Sequence, residues 1–98
     1  METLPDYLRK YGRILKNVFP GGLNEEDLEI LIFLLSEDFS QRNLASLIAI
    51  CFDRDYHRVL NLVYGAEDYE SGKNPERLEE IRTALIVNGY DGDLYANY

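Results

Sequence analysis

Cysteine and histidine each occur once in the 98 residues, and tryptophan does not occur. With no second cysteine, Cys51 can form no internal disulfide, and its apolar surroundings suit a buried, inert thiol. A zinc site needs further sulfur or imidazole ligands, and only Cys51 and His57 are on offer. Those two are not at a same-face helical spacing, which also argues against a Cys–His catalytic pair. Long hydrophobic runs are missing as well. The longest apolar blocks, residues 30–35 and 47–52, are far too short to span a bilayer. No apolar run follows a basic N-terminus, so no secretory signal is expected, and a cytoplasmic location is the default. Positive charge is scarce: 10 Lys and Arg stand against 18 Asp and Glu, a formal net charge of -8. That balance repels nucleic-acid backbones and acidic membrane surfaces, so neither is an expected partner.

The charge that is present is unevenly laid out. Residues 1–20 hold four bases against two acids, and residues 21–40 hold six acids and no base. Hydrophobic types make up 46% of the chain, as in a folded globular protein. Its length suits one domain spanning residues 1–98, with a loosely held polar tail from about residue 91 that still carries Leu94, Tyr95 and Tyr98.

Periodicity divides the chain into five helical segments. The first is expected over about residues 4–19, capped by Thr3, with Leu4 and Pro5 in its first turn. Leu4, Leu8, Tyr11, Leu15 and Val18 share its inner face. Pro20, Gly21 and Gly22 stop it. The second starts after Asn24, with Glu25 and Glu26 near the positive end of its dipole. Leu28, Leu31, Ile32 and Leu35 form its stripe. Ile30, Phe33 and Leu34 widen that stripe, so this helix is either central or faces a second surface. Ser40 caps a third over about residues 41–52. Asp53 or Asp55 starts a fourth through about Tyr64, although the branched and aromatic run from Val59 also permits a strand. Residues 65–73 have the weakest pattern. Asn74 and Pro75 open the fifth, with Leu78, Ile81, Leu85 and Ile86 inside. Asn88 and Gly89 end it in a left-handed turn, and Tyr90 can fold back. Short loops between amphipathic helices imply an all-α compact bundle.

No motif carries catalysis, a cofactor or a metal. Asp53, Asp55 and His57 lack the remainder of a calcium loop and read as capping residues. Gly21 and Gly22 lack the Lys-Ser/Thr of a phosphate loop. A helix-turn-helix over the second and third segments would offer only Arg42 to a major groove. Interaction residues are better represented. Arg9, Arg13 and Lys16 line one side of the first helix. Glu25, Glu26 and Glu29 mark the second. Eight tyrosines, including Tyr69 and Tyr95, exceed what so small a core can bury, and tyrosine suits protein contacts.

The residues from Ile14 to Leu23, then Asp27, Leu31, Leu34 and Leu35, Phe39 and Ser40, Asn74, Pro75 and Arg77, Ile81, Arg82 and Leu85, and the closing Asn88, Gly89 and Tyr90 follow a recognisable order. It resembles a family of small uncharacterised all-helical proteins best known from mycobacteria and other actinobacteria. The aromatic-Pro-x-Gly turn of that family matches Phe19, Pro20, Gly21 and Gly22. Its closing glycine and aromatic match Gly89 and Tyr90, where this chain has tyrosine in place of the common tryptophan, no following proline, and fewer bases in the last helix. The resemblance implies an all-helical fold and carries no catalytic residue. The resulting expectation is a non-catalytic protein–protein interaction module. One version is a homodimer that sets Arg13 and Lys16 against Glu25 and Glu29 of its mate. The alternative is an acidic inhibitor or immunity-type protein that blocks a basic site on a toxin or nuclease.

Overall fold

Side-chain caps decide where four of the five helices begin. Asn24, Ser40, Asp55 and Asn74 each accept a hydrogen bond from the backbone N–H three residues on, at 2.7, 3.2, 3.2 and 3.2 Å. Each bond satisfies one of the amides that a helix start leaves without a partner. The computed structural model describes residues 4–66 and 74–90. Within them run α1 (Asp6–Val18), α2 (Glu25–Leu35), α3 (Gln41–Phe52), α4 (Tyr56–Tyr64) and α5 (Pro75–Val87). The fold is an all-α compact bundle. Val59 and its neighbours are helical, which decides between the helix and the strand that the sequence allowed.

The start of α1 differs from expectation. Pro5 occupies the N-cap with extended backbone, and the helix proper begins at Asp6. Proline has no side-chain acceptor, so this start has no side-chain cap. Thr3 lies outside the described residues, as do the stretch 67–73 and the tail from residue 91.

Packing closes into a cycle: α1 rests on α3, α3 on α4, α4 on α2, α2 on α5, and α5 on α1. Having two neighbours widens the buried face of α1 beyond the expected stripe. Leu8, Gly12, Ile14 and Leu15 are buried, and Tyr11 and Val18 are only half-buried. Seven of the eleven residues of α2 are buried, including Ile30 and Leu34. The wide apolar surface of α2 is therefore consumed inside the bundle, against α4 and α5. One apolar cluster draws side chains from all five helices.

Three further features hold the ends together. Helix α3 stops at Asp53, whose left-handed backbone (φ 52°) a short polar side chain tolerates. Helix α5 closes in a Schellman turn. Gly89 sits at φ 97°, the Tyr90 N–H donates to Leu85 O at 2.9 Å, and the Gly89 N–H donates to Ile86 O at 3.0 Å. Tyr90 then folds back as expected and is 1% exposed. Its ring meets Tyr11 edge-on at 5.7 Å, Tyr11 meets Phe39 at 5.1 Å, and the Tyr90 hydroxyl donates to Asp38. This aromatic seam joins α1, the loop after α2 and the end of α5.

Candidate functional site

Helix α1 carries Arg9, Arg13 and Lys16 at helical spacings of four and three, so all three bases fall along one edge. That edge borders α3. Between the two helices runs an open groove of about 570 Å³, lined by the three bases with Leu4, Gly12, Asn17, Ile50 and Cys51. The floor is apolar, and at Gly12 α1 has no side chain to stand between it and Leu4 and Cys51. A methyl group built there would lie 2.7 Å from Leu4 Cδ1 and 3.2 Å from Cys51 Sγ. The Cys51 thiol donates a long hydrogen bond to Gly12 O at 3.9 Å. Gly12 thus sets both the separation of the helices and the depth of the groove.

The three bases are held differently. Arg9 pairs with Asp6 at 3.3 Å, and its Nε donates to Leu4 O at 3.4 Å. Lys16 Nζ lies over the Phe52 ring, 5.6 Å from its centroid. Arg13 is exposed and has no hydrogen bond or ion pair among the described residues. Burial pushes the Cys51 thiol above its ordinary pKa, and the nearby positive charge of Lys16 opposes this more weakly. The floor thiol is therefore protonated and poorly nucleophilic at neutral pH. Fixed positive charge around an apolar floor can hold carboxylates and cover an apolar side chain. It supplies no general base or thiolate.

The acids singled out from sequence are arranged otherwise. Glu25 accepts from Arg54 at 3.2 Å and lies 3.0 Å from Arg58. These contacts flank a smaller concavity of about 380 Å³ lined by Leu28, Phe52, Asp53, Arg54, Asp55, Arg58 and Val59. Arg54 also donates to Leu23 O. Glu26 accepts from Asn74 Nδ2 at 2.9 Å. Glu29 is exposed. Tyr69 and Tyr95 lie outside the described residues. Tyr7 and Tyr64 are exposed, and the Tyr7 hydroxyl donates to Asn43 Oδ1 at 3.1 Å, tying α1 to α3.

One acid has a role that sequence reasoning missed. Asp27 is 5% exposed. Both of its oxygens accept from Arg77, at 2.8 Å from Nε and 2.7 Å from Nη2. This bidentate pair fastens the start of α2 to the start of α5, and the bond raises the guanidinium pKa further above its ordinary value. Sequence spacing gives no clue to a pair 50 residues apart. A signal for the groove did exist. Glycine inside an amphipathic helix costs roughly 1 kcal/mol against alanine, so an interior Gly12 marks a close approach.

His57 is exposed on α4 with its ring edge-on to Tyr56 at 5.5 Å, and the buried Cys51 faces α1. Among the described residues, no group of three or more His, Cys, Asp and Glu side chains could hold a metal ion. None of the described helices is long and apolar enough to cross a membrane. No family model matches the chain, and neither a curated protein nor a solved structure matches it.

Proposed function

We propose that this protein is a non-catalytic protein-interaction module that works through the basic face of α1. The observation that carries the reading is the convergence of Arg9, Arg13 and Lys16 around an apolar-floored groove on a chain of net charge -8. Against so acidic a background, an exposed basic edge steers a partner into one orientation and repels misaligned approaches. A cytoplasmic location goes with this reading, since an unpaired thiol suits a reducing compartment. Nucleic acid is a poor partner for the same net charge. Kinship with the small actinobacterial helical proteins belongs to the same proposal. It is supported by the structural work done at the matched positions: Phe19 is buried, Gly22 and Gly89 hold left-handed turns, and Tyr90 seals the core.

The homodimer version rests on the α2 acids, and the acidic-blocker version on the acidic stretches 25–38 and 67–80, of which residues 67–73 lie outside the described residues. Of the α2 acids, Asp27 is paired with Arg77, Glu25 with Arg54 and Arg58, and Glu26 with Asn74, while Glu29 alone is exposed without such a bond among the described residues. The observations therefore favour a foreign partner over a second copy. The direct test compares proteins captured from source cells by the full chain and by an Arg13→Glu/Lys16→Glu variant. A partner held by the native chain and lost from the variant is the expected result. Identical capture by both chains would remove the α1 face from the account.

A further inference from the structure

We infer that the groove between α1 and α3 takes an acidic peptide segment carrying one apolar side chain. The inference rests on the interaction reading above and names its partner chemistry. Three observations on the site combine. First, the groove has two chemistries in layers: Leu4, Gly12, Ile50 and Cys51 below, and Arg9, Arg13 and Lys16 along the α1 edge. An apolar side chain can remove the floor from water, while carboxylates on either side of it reach the rim. Its volume of about 570 Å³ falls within the roughly 300–1,000 Å³ of clefts that hold small ligands, ample for one apolar side chain. Second, the cations differ in availability. Arg9 has Asp6 and Leu4 O, Lys16 rests on Phe52, and Arg13 has no partner among the described residues. Arg13 is thus the cation most open to a new carboxylate, and its planar fork suits bidentate capture. Third, two of the α2 acids that could fill this role from another copy, Glu25 and Glu26, are engaged within their own chain, which leaves Glu29 as the exposed one.

The test is an amide NMR titration of the full chain with the synthetic peptide Glu-Glu-Leu-Glu-Glu. Control peptides replace the central leucine by serine, or the glutamates by lysine. The expected result is saturable shifts at Gly12, Arg13, Ile50 and Cys51. Affinity should fall about tenfold or more in Arg13→Glu, and it should fall again as added salt shortens the range of the charges. The serine peptide should bind more weakly and the lysine peptide not at all. Arg13 is exposed, so its replacement leaves the fold intact. Absence of shifts at those amides overturns the inference. So does binding that Arg13→Glu leaves unchanged, and so does the same set of shifts produced by raising the protein's own concentration or by adding an oligothymidylate. If the peptide fails while Arg13→Glu/Lys16→Glu still abolishes capture from cells, the peptide chemistry falls and the interaction reading stands. If neither responds, both fall.

Discussion

Around the starts of α2 and α5, charged side chains are answered within the chain. Asp27 is gripped at both oxygens by Arg77, Glu25 meets Arg54 and Arg58, and Asn74 serves both as cap of α5 and as donor to Glu26. Along α1 the pattern reverses. Arg13 is exposed without a partner among the described residues, beside a groove whose floor is apolar. Both regions stood out in the sequence by charge alone. Where charge is paired and partly buried, it fixes helix against helix. Where it is open beside apolar surface, it is available to another molecule. A count of acids and bases does not separate the two cases, but the geometry of their partners does.

The largest expected effect comes from breaking the paired region. Asp27→Ala strands the Arg77 guanidinium against α2 and should cost about 2–4 kcal/mol in urea unfolding. That is somewhat below the roughly 3–5 kcal/mol of fully buried pairs, because the Arg77 side chain is 36% exposed. Replacing both partners by leucine should recover most of the loss. A double variant as unstable as the single would mean that the pair matters for something other than its charge. Next in size, Asn24→Ala and Ser40→Ala should each cost about 1 kcal/mol through loss of a cap bond. Thermal melts resolve this, and unchanged melting would remove the caps from the account. Smaller again is Arg58→Ala. Its pair with Glu25 is exposed on both sides, so the cost should lie within about 0–1 kcal/mol. A larger loss would make the second concavity part of the structural core.

Cys51 sharpens the comparison from the groove floor. Burial raises its pKa, so the folded chain holds the thiol proton more tightly than the unfolded chain does. Stability from this source is intact below the unfolded thiol's value of roughly 8.5 and declines as pH climbs past it. Iodoacetamide at pH 8 should therefore modify the folded chain far more slowly than the chain in urea. Equal rates would place the Cys51 thiol at the surface.

Much of the fold was legible because its determinants are local. Asn24, Ser40, Asp55 and Asn74 act on amides three residues away, and Gly89 and Tyr90 close α5 through bonds to Ile86 and Leu85. Periodicity located the stripes but not their width. Ile14 is buried because α1 touches both α3 and α5, which a single stripe cannot anticipate. The start of α1 was misplaced because proline is compatible with both the first turn and the cap, and only backbone geometry separates them. The site was half legible. Arg9, Arg13 and Lys16 share a helix edge at fixed spacing. The floor needs Gly12 to meet Cys51 across 39 residues, and the removal of Glu25 from the contact set needs Arg54 to reach it across 29. Such pairings depend on how helices dock, and hydrophobic periodicity carries little of that information.

The division between structural and available charge is tested most directly on Arg13→Glu, by measuring urea unfolding and Glu-Glu-Leu-Glu-Glu affinity on the same preparation. The account predicts a stability within about 0.5 kcal/mol of the native chain together with an affinity lowered about tenfold or more. A variant that unfolds several kcal/mol more easily, or one that binds the peptide as well as the native chain does, would contradict it.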